Sequence, residues 1–241
     1  MSDDIKKIVI LSGSVTSGYG LLENIPRWPA LVEMSVPNLQ IELYTEDNLS
    51  FQRGIEILDP TEVAGDILIA YFGTRVGWPR ISKLMRLMLS AKLGGITALD
   101  LPVRVRENQR KTFKNVVKKL IKRFLKQVAI SSHTYKPEKP IDELLKELQS
   151  FLQQAAEKFD IIYYLQHHHL EDARLKSESR IYNAYYDQIL KFAFEQTHLR
   201  VEVIELPVNF FKPTNFLHDN VHLSAEGHMK LSELLIKILL R

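Results

Sequence analysis

Ile8-Val9-Ile10-Leu11 runs directly into Ser12-Gly13-Ser14-Val15-Thr16-Ser17-Gly18 near the start of the chain. The aliphatic run reads as a buried strand. The small residues after it let the backbone turn sharply and present Ser14 at the strand's C-terminal tip. In open α/β sheets that edge is where ligands bind. Working outward, apolar runs at residues 5–12, 39–45, 66–72, 160–166 and 200–206 alternate with helical patterns. Such alternation predicts a parallel sheet with helices on both faces.

Between the first two runs, Pro26 and Pro29 predict a broken helix over residues 21–33. The connection from the third run to the fourth is too long for one crossover. It carries helical patterns at about 106–127 and 140–157, parted by Thr134-Tyr135-Lys136-Pro137-Glu138-Lys139-Pro140. Residues 81–158 are therefore expected to form a helical insertion, a cap, within one domain spanning 1–241. A further helix is expected at about 178–197. Ser224 reads as the N-cap of a closing helix whose Leu231, Leu234, Leu235, Ile238 and Leu239 keep helical spacing.

A length of 241 residues with 45% hydrophobic and 25% charged residues suits one large domain with a real core. Zero cysteines exclude disulfides and thiolate chemistry. No apolar run is long enough to span a bilayer, and Met1-Ser2-Asp3-Asp4-Ile5-Lys6-Lys7 enters the first strand without a signal-peptide pattern. These features lead us to expect a cytoplasmic protein. A net charge of +3 is too modest to point to nucleic acid.

At the other end, Asp219-Asn220-Val221-His222-Leu223 precedes the closing helix. A carboxylate and an imidazole three residues apart on one loop supply the orienting and basic members of a nucleophilic triad. Ser14 supplies the nucleophile. A serine hydroxyl is weakly nucleophilic at neutral pH, and His222 can take its proton and return it to a leaving alkoxide. The plainer alternatives are a Ser/Gly turn that caps a helix or holds an anion, a turn aspartate and a satisfied loop histidine. His218 and His228 lack an Asp three residues before them and read as structural.

The two ends together carry a resemblance. Ser12-Gly13-Ser14-Val15-Thr16-Ser17-Gly18 resembles the first block of the SGNH/GDSL hydrolases, Gly-Asp-Ser-x-Thr-x-Gly. Asp219 to His228 is similar to their last block, Asp-x-x-His-Leu-x-x-x-Gly-His. Ser12 and Gly13 stand where that family has Gly and Asp. The resemblance spans nearly the whole chain. It implies a three-layer α/β/α fold with a five-stranded parallel sheet in flavodoxin-like order. It also implies ester hydrolysis through an acyl-enzyme, with Ser14, His222 and Asp219 as the triad and no cofactor.

The family's oxyanion hole uses backbone N–H groups of Ser and Gly and an Asn side chain. Gly54, after the second strand, is the expected glycine, with a plain turn glycine as the alternative. Where the family has Gly-x-Asn-Asp, this chain reads Gly73-Thr74-Arg75-Val76-Gly77-Trp78-Pro79-Arg80. Arg75 thus replaces the Asn. It can serve as the third donor, bind an anionic substrate group, or fill a loop.

His167-His168-His169, with Glu171 and Asp172 nearby, follows the fourth strand. No metal-ligand spacing is present, so substrate contact is favoured over a metal. The segment 104–126 carries ten Lys and Arg side chains with an apolar stripe, against the single acid Glu107. A solvated face is the default, and contact with an anionic surface the sharper reading. The function expected is hydrolysis of small acyl esters, with acetylated carbohydrate as the family-level substrate. The alternatives are an O-acyltransferase on the same scaffold and a weakened glycan- or partner-binding module.

Overall fold

A computed structural model describes residues 6–18, 20–36, 38–47, 49–73, 76, 79–81, 135–137, 139–167, 176–217 and 222–241. Five parallel strands form the central sheet. They are β1 (Lys6–Ser12), β2 (Leu39–Thr45), β3 (Gly65–Tyr71), β6 (Phe159–Leu165) and β7 (Val201–Ile204). Their spatial order is β2-β1-β3-β6-β7, so β1 and β3 lie side by side at the centre. Each strand falls within a residue or two of its expected apolar run. A separate antiparallel pair joins β4 (Pro79–Ile81) to β5 (Tyr135–Pro137).

Alternation along the strands divides the core into two layers. Val9, Leu11, Leu68, Ala70, Ile162 and Tyr164 face one side, where they meet α2 (Phe51–Leu58), α3 (Ile141–Ala156) and α4 (Lys176–Phe194). Ile8, Ile10, Ile67, Ile69, Tyr71, Tyr163 and Leu165 face the other, against α1 (Trp28–Ser35) and α5 (Ala225–Leu239). The three-layer α/β/α arrangement is thus as expected. The helical segment around Pro26 and Pro29 is shorter than a broken helix over 21–33. Only Trp28 onward is helical, with Pro29 in the first turn, where a missing N–H costs nothing.

The helix α3, expected as part of a cap at 81–158, packs into the core of the α/β unit. Leu144, Leu148, Phe151, Leu152 and Ala155 of α3 are buried in the same core as Leu11 and Ala70. That helix is a layer of the α/β unit because its apolar stripe has the sheet to cover. The paired strands β4 and β5 bracket residues 82–134, which lie outside the described residues together with the basic segment 104–126. Among the described residues no helix is long and apolar enough to cross a membrane.

Candidate active site

β1 ends at Ser12, and the sheet pairing continues for one residue, with Gly13 N–H donating to the Tyr71 carbonyl at 3.2 Å. The chain then turns. Thr16 N–H donates to the Gly13 carbonyl at 3.1 Å, and the Ser17 hydroxyl donates to the Ser14 carbonyl at 2.8 Å. Gly18 takes a left-handed conformation, with φ +71°, which glycine adopts without steric cost. Val15 and Thr16 are buried under the turn while Ser14 stays partly accessible. The Ser14 N–H makes no hydrogen bond among the described residues.

His222 approaches this turn from the far end of the chain. Its Nε2 lies 3.0 Å from Ser14 Oγ, within the reach that proton transfer requires. His222 is 8% exposed as a residue, so it is largely shielded from solvent without being sealed from it. Its backbone carbonyl accepts from Leu217 N–H at 2.8 Å, and an antiparallel bridge joins Phe216 to Leu223. Ser224 then caps α5, its hydroxyl accepting from Gly227 N–H at 3.1 Å as the sequence predicted.

No protein-family model matches the chain, and no curated protein matches it by sequence. Solved structures do match over almost the whole length. A member of the lipolytic G-D-S-L family from Veillonella parvula superimposes with a TM-score of 0.58, covering 98% of both chains at 14% identity. The fold is that of the SGNH hydrolases. An acetylxylan esterase from Geobacillus stearothermophilus shares it with a TM-score of 0.55 at 13% identity, covering 97% of this chain and 94% of its own. A psychrotrophic esterase from a Pseudoalteromonas species gives 0.53 at 9% identity, covering 96% and 95%.

Within this SGNH fold the other expected site residues fare unequally. Gly54 is not available as an oxyanion donor. It lies inside α2, and its N–H donates to the Ser50 carbonyl at 2.9 Å as an ordinary helical bond. A Cβ there would meet the Phe151 ring at 3.0 Å and Leu11 at 3.2 Å. The glycine therefore serves close packing of α2 against α3 and the sheet. Asp219 and Arg75 lie outside the described residues, as do His168, His169, Glu171, Asp172 and His218. His167 is fully buried, its ring centroid 5.8 Å from Tyr71 and 6.2 Å from Tyr186, whose hydroxyl accepts the His167 backbone N–H. Its place is in the aromatic core beside the sheet edge. Among the described residues no three His, Asp or Glu side chains gather as a metal site.

A buried chain of polar groups behind Ser14 escaped sequence reasoning. Ser12 Oγ and Thr16 Oγ1 share a hydrogen bond at 2.5 Å, and Trp28 Nε1 donates to Thr16 Oγ1 at 3.1 Å. The Trp28 backbone N–H in turn donates to His228 Nδ1 at 3.2 Å. Burial pulls the His228 pKa down to about 4, helped by the charge of Arg27. The ring is thus neutral with its proton on Nε2, and it ties α5 to the start of α1. The structural role expected for His228 is the one it has. Nothing local in the sequence links Thr16, Trp28 and His228, because the contacts cross three elements.

Proposed function

We propose that this protein is a serine ester hydrolase acting through an acyl-enzyme. The observation that carries the reading is the 3.0 Å approach of His222 Nε2 to Ser14 Oγ. With the Nε2 lone pair directed at the hydroxyl, the imidazole takes the Oγ proton as Oγ bonds to the ester carbonyl carbon. The resulting oxyanion is received by the Ser14 N–H, which has no competing acceptor among the described residues, and by the Arg75 side chain as the further donor. Collapse breaks the bond to the alcohol, and His222 returns the proton to the departing alkoxide. Water then repeats the sequence, releasing the acid and restoring Ser14. Asp219 is assigned to accept a hydrogen bond from Nδ1–H, keeping the tautomer correct and stabilising the imidazolium.

The substrates proposed are small acyl esters, with acetyl groups on carbohydrate as the leading class. That assignment rests on the fold shared with an acetylxylan esterase and so on analogy. The test is intact-mass labelling with a fluorophosphonate, which reports nucleophile activation without a known substrate. The wild type should gain one adduct. Ser14→Ala should gain none and should lose ester turnover by at least about a thousandfold. Its melting midpoint should stay nearly unchanged, because the hydroxyl contributes little packing. An unlabelled wild type, or a Ser14→Ala variant that still labels, would overturn the mechanism.

A further inference from the structure

We propose that Asn215 is the positioning residue for His222, setting the distance between base and nucleophile without touching either reacting atom. The inference rests on the reading of His222 as the general base of Ser14. Asn215 is fully buried, and every polar group it carries is engaged. Its N–H donates to the Lys212 carbonyl at 3.0 Å and its carbonyl accepts from Ser224 N–H at 2.9 Å. The side-chain amide donates to the Phe210 carbonyl at 2.6 Å, and Oδ1 accepts from Lys230 Nζ at 3.0 Å.

These bonds join three parts of the molecule that no strand of the main sheet connects. One is the turn Val208–Phe211, the second the segment that carries His222, and the third the first turns of α5. Asn215-Phe216-Leu217 lies antiparallel to His222-Leu223-Ser224, through the Ser224–Asn215 bond, the Phe216–Leu223 bridge and the Leu217–His222 bond. The backbone of His222 is thus registered against the segment that Asn215 anchors. Gly227 completes the fit, since a Cβ there would fall well inside contact distance of the Asn215 carbonyl oxygen. Ser224 Oγ adds a second tie, donating to the Thr214 carbonyl at 2.5 Å. A shift of about 1 Å in a base can cost a hundredfold in rate, so an anchor of this kind acts directly on reactivity.

The experiment compares the full-length wild type with Asn215→Ala, Asn215→Asp and Lys230→Met. It follows the rate and final extent of fluorophosphonate labelling, kcat and KM for 4-nitrophenyl acetate, and thermal melting. Asn215→Ala should label and turn over at least tenfold more slowly, with KM within twofold and full final labelling. Asn215→Asp keeps the acceptor for Lys230 and should recover part of the rate. Lys230→Met, on a partly exposed side chain, should slow labelling about threefold. Partial unfolding would instead lower the final extent and leave the rate of the folded fraction intact, which overturns the proposal. A folded Asn215→Ala that labels at the wild-type rate also overturns it, with the Ser14–His222 reading untouched. Should Asn215→Ala fail to fold, Lys230→Met decides, and a wild-type rate there overturns the proposal. An unlabelled wild type would remove the underlying reading and this inference together.

Discussion

Ser14 and His222 meet at one hydrogen bond, yet the two are held in place by different means. The Ser14 turn is a continuation of β1, closed by bonds that span three residues, Thr16 to Gly13 and Ser17 to Ser14. Its anchor is an inner strand of the sheet, paired on both sides. His222 has no strand of the main sheet beneath it. Its segment depends on the Asn215 cluster, on the Ser224 cap and on the close pass of Gly227 beneath Asn215. Strand pairing is a collective constraint, shared over many bonds. A side-chain cluster concentrates the constraint in a few groups, so single substitutions there should reach the site more readily.

The sharpest test of that contrast pairs two glycines. In Gly227→Ala the new methyl meets a backbone carbonyl, which cannot swing away as a side chain can. We expect a loss of about 2–3 kcal/mol in stability, together with slower fluorophosphonate labelling of the folded protein. In Gly18→Ala the methyl meets the flexible Arg27 side chain, and the cost is that of a positive φ, about 1–2 kcal/mol. Denaturant melts and labelling rates measured side by side check this. Equal effects of the two substitutions on labelling would break the contrast.

The second prediction concerns the tie between the two regions, where His228 accepts from Trp28. The folded pKa of about 4 lies below the ordinary histidine value of 6.5. The neutral ring therefore contributes its full stability above about pH 6.5, and this is lost as pH falls from there towards 4, because the unfolded chain takes up the proton first. At roughly 1.4 kcal/mol per pKa unit, a difference of about 2.5 units brings the loss to about 3 kcal/mol by pH 4. His228→Asn, which offers an oxygen to the Trp28 N–H, should flatten this acid slope while lowering stability at neutral pH. Chemical denaturation at pH 4.5, 5.5 and 7 distinguishes the outcomes. An unchanged slope in the variant would mean that other groups govern the acid response.

The smallest effect belongs to Gly54, on the opposite face of the sheet from the His222 segment. Gly54→Ala gains helix propensity of about 1 kcal/mol and loses a similar amount by crowding Phe151 and Leu11. Stability should change by no more than about 1 kcal/mol in either direction, and labelling should keep its wild-type rate. A tenfold slower rate would restore α2 to the active site and weaken the view that its glycine is a packing residue.

The strands were legible because buried parallel strands are written as short apolar runs, and five such runs needed no tertiary information. The turn that carries Ser14 was legible for the same reason, since it continues directly from the first apolar run. The closing helix could be read from Ser224 and from the spacing of Leu231 and Leu235, both fully buried. Gly54 misled because a glycine after a strand looks like a turn. Ser50 had already started the helix four residues earlier, with its hydroxyl accepting from Arg53 N–H. The segment 141–156 reads as a strong helix in sequence, but whether it covers the site or the sheet depends on which apolar surface lies opposite its stripe. That surface is the face carrying Leu11 and Ala70.

Local patterning by itself determined the strand set, the turn that carries Ser14 and the N-cap of the last helix, because each depends on residues within a few positions of one another. Only the tertiary structure decided that His222 Nε2 comes within 3.0 Å of Ser14 Oγ across 208 residues. It also decided that Asn215 and His228 have polar work inside the fold, and that Gly54 belongs to packing. The physical reason is the same in each case. A buried donor or acceptor must find its partner wherever packing brings one, and that partner is set by the three-dimensional assembly of elements far apart in the chain.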